Sequence, residues 1–292
     1  MVRKCKKRKQ WSGRRWEDLD KDVLILIFSL MKHKELVETV PWVCSSWRLA
    51  CWDLLVWNSE NTLDFTALKR SCRGDFCESY HSVATRLMSV LKSIAFEEDR
   101  LTSATSMVFH WALPLSDKHL VYLAERSPRL QRLSLDCAKR ITGRGFSRAI
   151  RNWKAIEEMS LGSLDPRYYD HIIREIGIQC KKLQVFCLCS FELNVYFAVL
   201  IAENLRHLKE LGLQNVSISR ASLHAILSKC SKLVTVSITN CGIADPKNVE
   251  IRSTKAGYKI KWLIGTETEG HSLSSMLDAL WPVCGNRVNQ YF

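Results

Sequence analysis

A pattern of apolar positions, Leu-x-x-Leu-x-Leu or a close variant of it, recurs five times in the middle of the chain. Its copies begin at Leu130, Ile156, Leu183, Leu208 and Leu233, so successive copies start 26, 27, 25 and 25 residues apart. The alternation that ends each copy is typical of a short strand with one buried face. The regular interval predicts that one structural unit is repeated.

Helical periodicity occupies the intervals between the predicted strands. It involves Leu120, Leu123 and Ala124 before Pro128; Ile172, Ile173 and Ile176 before Cys180; Val199, Leu200 and Leu208; and Leu223, Ile226 and Leu227 before Cys230. A strand with one helix cannot bury its apolar side alone, whereas at least three stacked units can. The interval fits the ~20–29 residues of leucine-rich repeats (LRRs), which predicts an α/β solenoid with parallel strands inside and helices outside. A doubly wound sheet would need longer periods and Gly-rich turns, which are absent.

Three short apolar clusters precede the repeats. They consist of Val23, Leu24, Ile27, Phe28 and Met31; of Leu36, Val37 and Val40; and of Trp47, Cys51, Leu54 and Leu55. Asp20 is predicted to cap a first helix, Pro41 to end a second, and Ser45 or Ser46 to cap a third. The first run is also short enough for a buried strand.

The first of these helices is apolar on nearly every side, because Ile25, Leu26 and Leu30 add to its cluster. Six of the ten tryptophans also lie within the first 57 residues. Three short helices cannot enclose so many large apolar side chains. We therefore expect some of them to cover the following domain or to contact a partner.

This region resembles the F-box motif, especially its plant variants. The similarity lies in Trp16-Glu17-Asp18-Leu19, Val23-Leu24, Ile27-Phe28, Leu36, Val43-Cys44-Ser45-Ser46-Trp47-Arg48 and Leu55-Val56-Trp57. One departure is that the usual Leu-Pro is Leu19-Asp20 here, so a proline that the family places against its adaptor is missing. The alternative is a helical cap that belongs wholly to the core of the main domain.

The resemblance implies docking on a Skp-type adaptor, which joins such proteins to a cullin and a RING protein. The adaptor-binding residues that it implies are Leu19, Val23, Leu24, Ile27, Phe28, Leu36, Val43, Cys44, Trp47 and Trp57. The repeats resemble the cysteine-containing repeats of F-box/LRR proteins at Cys180-Lys181-Lys182-Leu183 and Cys230-Ser231-Lys232-Leu233. A cysteine at that junction is expected to be a packing residue.

The predicted organisation is a small three-helix module followed by a short solenoid. Residues 1–15 form a basic disordered tail and residues 16–57 the F-box module. Residues 58–100 connect the two and contain a degenerate first repeat, in which Leu63-Asp64-Phe65 begins the stack. Residues 101–245 hold the leucine-rich repeats, with Met107 to Phe109 as a strand, and residues 246–292 form an irregular C-terminal cap.

The formal net charge of +13 is concentrated at the N-terminus. Eight basic residues lie in the first fifteen positions, which leaves +5 for the other 277 residues. So small an excess does not call for a nucleic acid as partner. The segment Lys4 to Lys9 fits a nuclear-import signal or a solvated tail equally well, and we expect a location in the nucleus, the cytoplasm or both.

Neither catalysis nor metal binding is indicated. No Cys-x-x-Cys pair occurs, so the 12 cysteines are expected to be free thiols, mostly buried. The eight histidines are scattered, and Gly143-Arg144-Gly145 lacks a third glycine at dinucleotide spacing and is interpreted as a turn. The longest apolar run, Val23 to Phe28, is far shorter than the ~20 residues that cross a bilayer, so no membrane contact is expected.

The strand register predicts three rows of side chains on the concave face. The first row is Arg132, Glu158, Val185, Glu210 and Thr235; the second is Ser134, Ser160, Cys187, Gly212 and Ser237; the third is Asp136, Gly162, Cys189, Gln214 and Thr239. We expect Arg132, Asp136, Glu158, Glu210 and Gln214 to contact a protein target. Plant hormone receptors of this general design bind an inositol phosphate, but one arginine cannot hold such a group, and we expect no cofactor.

Two functions fit these features. The first is a non-catalytic substrate receptor that holds a protein target within a ubiquitin ligase. The second is a leucine-rich-repeat scaffold that acts outside ubiquitination. Binding of a Skp-type adaptor would separate the two.

Overall fold

The computed structural model of this chain describes residues 15–59, 61–70, 80–95, 98–110, 112–136, 138–239, 241–243 and 259–263. The predicted import segment and most of the predicted C-terminal cap lie outside these residues. No helix among them is both long and apolar enough to cross a bilayer.

The N-terminal module is helical, so the alternative of a buried strand is wrong. Its helices are α1 (Lys21–Ser29), α2 (His33–Glu38) and α3 (Ser45–Leu55), with 3-10 turns at Trp16–Asp18 and Val40–Trp42. Asp20 caps α1 as predicted, because its carboxylate accepts the amide N–H of Asp22 at 2.9 Å. The predicted serine cap of α3 is wrong: Cys44 occupies the N-cap position and makes no side-chain hydrogen bond there.

The repeats form one sheet. Its strands are β1 (Trp57–Ser59), β2 (Thr62–Asp64), β3 (Ser106–Phe109), β4 (Arg132–Leu135), β5 (Glu158–Gly162), β6 (Val185–Leu193), β7 (Glu210–Ile218), β8 (Thr235–Thr239), β9 (Gly242–Ile243) and β10 (Lys259–Leu263). The strand order is β1-β2-β3-β4-β5-β6-β7-β8-β10, with β9 beside β7. Every pairing is parallel except β1 with β2. The predicted solenoid and its first strand at β2 are confirmed.

Helices alternate with these strands along the chain. They are α4 (Tyr80–Ile94), α5 (Glu98–Ser103), α6 (Asp117–Ala124), α7 (Gly143–Ile150), α8 (Tyr169–Gln179), α9 (Val195–Asn204) and α10 (Arg220–Lys229), with 3-10 turns at Phe65–Arg70 and Pro166–Tyr168. From α6 to α10 each helix packs against the next one. Leu208 was predicted to share a helical pattern with Val199 and Leu200, but it lies beyond α9, two residues before β7.

The segment Gly143-Arg144-Gly145 begins α7, so its interpretation as a turn is wrong. The hydroxyl of Thr142 accepts the amide N–H of Gly145 at 3.1 Å and caps the helix. The same Thr142 donates its own amide N–H to the carboxylate of Asp117 at 2.7 Å. A Cβ on Gly145 would lie 2.0 Å from the Asp117 carboxyl carbon, so glycine lets the two repeats approach here.

The sheet continues past residue 245, where the repeats were predicted to end. Strand β10 pairs in parallel with β8, placing Ile260 beside Val236 and Trp262 beside Ile238. The prediction of an irregular segment is therefore wrong for Lys259–Leu263. Gly257 stands where the pattern would have its first leucine, which explains why the pattern did not reveal this strand.

The N-terminal module is joined to the repeats through buried polar contacts as well as a shared apolar core. The indole N–H of Trp52, in α3, donates to the Ser93 hydroxyl of α4 at 3.0 Å. The largely buried carboxylate of Asp53 pairs with Lys21 of α1 and lies 2.5 Å from the Arg100 guanidinium of α5. That guanidinium also stacks 4.5 Å from the centre of the Trp57 ring. We call these contacts the inter-domain joint.

Left-handed residues recur at one position of successive repeats. Ser163, Ser190 and Asn215 have φ of 42°, 53° and 50° and follow the third row of the sheet. After this bend β6 and β7 pair again, with Phe191 beside Val216. The bend thus lets β6 and β7 change direction and still remain paired with each other.

Substitutions at Ser190 should show the cost of this bend. A side chain in the left-handed region costs ~1–2 kcal/mol, so Ser190→Gly should raise the free energy of unfolding by up to about 1 kcal/mol. Ser190→Val should lower it by about 1–2 kcal/mol, because a β-branched residue tolerates this region worst.

The control is Ser217, an exposed residue in the extended strand β7. There the order should reverse, with valine at least as stable as serine and glycine less stable. Urea denaturation followed by circular dichroism measures all four variants. The same order at both positions would contradict the assigned bend.

Candidate functional site

Helix α1 has two apolar faces that differ in burial. Leu24 and Phe28 are buried in the core of the module. Val23, Leu26 and Ile27, spaced three and four residues apart, lie on the other face and are exposed, and Leu30 at the end of the helix is 84% exposed. Helical geometry places these four side chains together on one side. One apolar face of α1 therefore has no cover within the described chain.

Seven of the eleven large apolar side chains that are exposed in the described residues fall between residues 16 and 43. They are Trp16, Val23, Leu26, Ile27, Leu30, Trp42 and Val43, and we call them the N-terminal apolar surface. Isolated exposed apolar residues are ordinary, whereas a concentration of this kind is typical of an interaction site.

Half-buried aromatic and polar groups hold this surface in place. The ring of Trp47 packs edge-on against Phe28 with 5.3 Å between centroids, and its indole N–H donates to the Trp16 carbonyl at 3.3 Å. Arg48 donates from Nε to the Pro41 carbonyl at 2.9 Å, which fixes the turn that carries Trp42. The surface therefore rests on α3, because Trp47 connects α1 and Trp16 to that helix and Arg48 connects the turn of Trp42 to it.

The ten residues that the resemblance implied fall into three groups. Val23, Ile27 and Val43 are exposed and belong to the N-terminal apolar surface. Leu24, Phe28 and Leu36 are buried, so the prediction that they contact an adaptor is wrong. They support the surface from beneath. The rest, Leu19, Cys44, Trp47 and Trp57, are half-buried, and Trp57 belongs to the inter-domain joint.

Four residues of this surface are not among the predicted adaptor contacts, namely Trp16, Leu26, Leu30 and Trp42. A helical projection of α1 could have found two of them, since Leu26 and Leu30 share the side of Val23 and Ile27. Nothing in the sequence marks Trp42 as exposed. Its neighbour Pro41 is buried in the structure, so two adjacent apolar residues differ in exposure.

The strand register places the three predicted rows as expected, with Arg132 beside Glu158 and Glu210 beside Thr235. Their exposure differs from the prediction. The first row is half-buried along its length. The second row is buried throughout, as is the third apart from Thr239, so neither is open for a partner.

Close contact between neighbouring strands accounts for this burial. A Cβ on Gly212 would lie 2.6 Å from the Cys187 sulfur, and one on Gly162 would lie 2.1 Å from the Asp136 carbonyl oxygen. The side chain of Asp136 accepts the Ser134 hydroxyl at 3.4 Å, and Gln214 Oε1 accepts the Cys189 thiol at 3.4 Å. The prediction that Asp136 and Gln214 contact a target is therefore wrong, and Arg132, Glu158 and Glu210 remain as candidates.

The described cysteines are packing groups. Burial raises the pKa of the Cys51, Cys180 and Cys187 thiols to about 12, so all three are neutral near pH 7. The Cys51 thiol donates to the Leu36 carbonyl at 2.9 Å and links α3 to α2. A neutral buried thiol is a poor nucleophile. Among the described residues no three His, Cys, Asp or Glu side chains are grouped as metal ligands.

Substitutions on the two faces of α1 should change the free energy of unfolding by very different amounts. Phe28→Ala should lower the free energy of unfolding by about 3–5 kcal/mol, because it empties a buried site. Leu26→Asp and Leu30→Asp should each change it by about 0.5 kcal/mol or less, since their side chains already contact solvent. Guanidinium denaturation provides the values. A loss at Leu30 as large as the loss at Phe28 would mean that the exposed face is covered in the folded chain.

Comparison with known proteins agrees with this architecture. A family model described as "FBD-associated F-box protein At5g56370, LRR repeats" matches residues 149–267, which include β10. Among solved structures, an internalin C2 from Listeria monocytogenes aligns over 60% of this chain and 83% of its own, with 15% identity and a TM-score of 0.30. So low a score carries no weight, and the fold rests on the strand pairing described above.

Relatives of known family come from Arabidopsis thaliana. F-box/LRR-repeat protein At3g48880 is 32% identical, with 80% of this chain and 74% of that protein aligned. Putative F-box/LRR-repeat protein 9 is 23% identical over 78% of this chain and 88% of its own. F-box protein SKIP19 is 25% identical over 77% and 69%. Because the first of these matches extends across most of both chains, this chain belongs to the F-box/LRR-repeat protein family.

Proposed function

We propose that this chain is the substrate-receptor subunit of an SCF-type (Skp-cullin-F-box) ubiquitin ligase. In this role it binds a Skp-type adaptor through the N-terminal apolar surface and a protein target through the repeats. The observation that carries the proposal is the uncovered apolar face of α1, together with the exposed Trp16, Trp42 and Val43 in the turns of the same module.

The composition of this surface suits a stable protein interface. Interfaces of ordinary size bury ~1,600 Å² and depend on a few large apolar or aromatic anchors near their centre. Two exposed tryptophans and two exposed leucines supply such anchors here. Burial of apolar area contributes roughly 25 cal/mol per Å², so covering these side chains supplies a large driving force for association.

A receptor of this kind contributes proximity rather than catalytic groups. Holding a target close to a ubiquitin-charged enzyme turns an encounter between separate molecules into a reaction within one assembly. That role requires a fixed geometry between the two binding surfaces. The inter-domain joint supports it, because Asp53 bridges Lys21 in α1 to Arg100 beside the first repeat.

The first row of the sheet is the part of the strand face that remains for a target. Arg132 and Glu158 are neighbours on β4 and β5, and Glu210 lies two strands further along. All three side chains are half-exposed. We propose that they select the target by charge, with the buried second and third rows acting as rigid support beneath.

Adaptor binding should depend on the exposed face of α1. The double variant Leu26→Asp/Leu30→Asp should weaken binding of a Skp-type adaptor at least thirtyfold, or about 2 kcal/mol, because it buries two carboxylates in an apolar interface. The matched control is Ile178→Asp/Val195→Asp, which alters two exposed apolar residues on the repeat helices and should bind like wild type. Isothermal titration calorimetry on purified proteins measures both. If the folded wild-type chain binds no adaptor isoform, the proposal is wrong.

Target selection should depend on the first row. The triple variant Arg132→Glu/Glu158→Arg/Glu210→Arg should lose its target and keep adaptor affinity, because the two surfaces lie on different elements. The control Arg174→Glu/Glu125→Arg/Glu192→Arg makes the same net change at exposed positions elsewhere.

The readout is quantitative affinity purification with mass spectrometry. A target should be recovered with wild type and the control and lost with the triple variant, while the adaptor is recovered with all three. A target that is retained in full by the triple variant would exclude the first row as its binding site.

A further inference from the structure

One edge of the repeat stack carries a row of basic side chains. A two-residue turn precedes each strand from β4 to β8, and these turns are Pro128-Arg129, Lys154-Ala155, Lys181-Lys182, Arg206-His207 and Ser231-Lys232. Because the strands are parallel neighbours, the five turns lie side by side at the edge where the strands begin. Each turn contains at least one exposed Arg or Lys and none contains an acid. We call this set the basic edge.

The cations of the basic edge are not neutralised by carboxylates in the part of the chain that the structure describes. Lys181 donates to the Gly177 carbonyl at 2.7 Å, Arg206 to the Glu203 carbonyl at 3.1 Å, and Lys232 contacts His207 Nδ1 at 3.2 Å. None of these partners is a carboxylate. The nearby carboxylates of Glu203 and Glu125 are already paired, with Lys229 at 3.1 Å and Arg148 at 3.0 Å.

Helix capping explains only part of this row. A cation near a helix C-terminus stabilises the helix, and the contacts of Lys181 and Arg206 with carbonyls at the ends of α8 and α9 are of this type. Capping does not require a second lysine at position 182, nor does it explain the absence of acids from five successive turns. The local excess of positive charge attracts an anion along the whole edge.

A cavity with both polar and apolar lining opens within the basic edge. It has a volume of about 300 Å³ and lies between the turns that precede β6 and β7. Ile178, Leu183 and Leu205 supply its apolar lining. Its polar lining consists of Lys181, Glu203, Asn204, Arg206 and His207, and the carboxylate of Glu203 is paired with Lys229. Ile178 is 56% exposed although it lies near the end of a well-packed helix. Cations beside a small cavity with an apolar part fit a ligand that carries both acidic and apolar groups.

We infer that the basic edge binds an extended acidic segment of a partner protein, with one apolar side chain of that segment in the cavity beside Ile178. Spacing supports this ligand. Successive turns are separated by a distance between the ~4.8 Å of paired strands and the ~8–10 Å of packed helices. Alternate side chains of an extended peptide are ~6.6 Å apart, within that range.

A nucleic acid fits the same edge less well. Proteins that bind single strands supply aromatic rings on which bases stack, and the five turns contain no Phe, Tyr or Trp. A single row of cations would contact phosphates but leave the cavity unused. The inference does not depend on adaptor docking, because the basic edge and the N-terminal apolar surface share no residue.

The probe for this site is a fluorescein-labelled peptide of 15 residues with glutamate at alternate positions and one central leucine. Fluorescence anisotropy at 50 mM salt measures its binding to the full chain. The triple variant Lys181→Glu/Arg206→Glu/Lys232→Glu should weaken binding at least tenfold. The control Lys118→Glu/Lys139→Glu/Arg144→Glu makes the same change in charge at exposed positions elsewhere and should weaken it less than twofold.

Folding and the cavity are tested separately. The neutral variant Lys181→Gln/Arg206→Gln/Lys232→Gln should also weaken binding, with an unchanged Tm as proof that the chain remains folded. Ile178→Ser should lower the affinity for the leucine peptide at least threefold and leave the affinity for a peptide with central glycine unchanged. Val195→Ser should change the affinity for neither peptide. The inference is supported if the charge variants of the basic edge weaken binding and if Ile178→Ser weakens binding of the leucine peptide alone.

Three results would overturn it. The first is no detectable binding of the leucine peptide. The second is equal weakening by Lys181→Glu/Arg206→Glu/Lys232→Glu and by its control Lys118→Glu/Lys139→Glu/Arg144→Glu, since the attraction would then depend on net charge alone. The third is tighter binding of a 20-base-pair DNA duplex through the same three cations, which would make the basic edge a nucleic-acid surface. None of these results would change the calorimetry of adaptor binding, so the two proposals stand or fall separately.

Discussion

The apolar side chains of each strand lie beside their equivalents in the neighbouring repeats, and a common register makes this possible. From β2 to β8 the strands pair in parallel without a shift, so equivalent apolar residues such as Leu133, Met159 and Phe186 are direct neighbours. A shift of one residue would turn every side chain to the opposite face. The half-exposed first row, the left-handed bends and the basic edge are all consequences of that register, because each consists of equivalent positions in successive repeats.

The N-terminal module follows a different rule. Its helices have no repeat to cover them on one side, so α1 buries Leu24 and Phe28 inward and leaves Leu26 and Leu30 in solvent. The other side is tied to the stack by directional contacts as well as apolar packing. Trp52 has its indole N–H satisfied by Ser93, and Asp53 is paired twice. A buried carboxylate with two cationic partners is costly to disrupt, so this joint resists rotation of the module against the repeats.

The periodic part of the fold could be predicted from the sequence because burial there is local and regular. Apolar residues at Leu130, Leu133 and Leu135 recur about every 26 residues, and each copy forms a strand as predicted. Side-chain packing between neighbouring strands could not be predicted. Nothing in the sequence shows that the Cys187 sulfur fills the space above Gly212 and so closes the second row. The sequence also does not show which face of α1 is buried, since both faces are apolar.

An apolar surface that water alone covers affects how long a protein survives in a cell. Two tryptophans and two leucines in solvent favour self-association and attract the chaperones and proteases that remove unfolded chains. Any protein that covers them also stabilises the folded chain by mass action. If a partner covers α1, the amount of this chain in a cell is therefore linked to the amount of that partner. Copies made in excess of that protein would be removed, and the number of working molecules would be set by the binding partner rather than by the rate of synthesis.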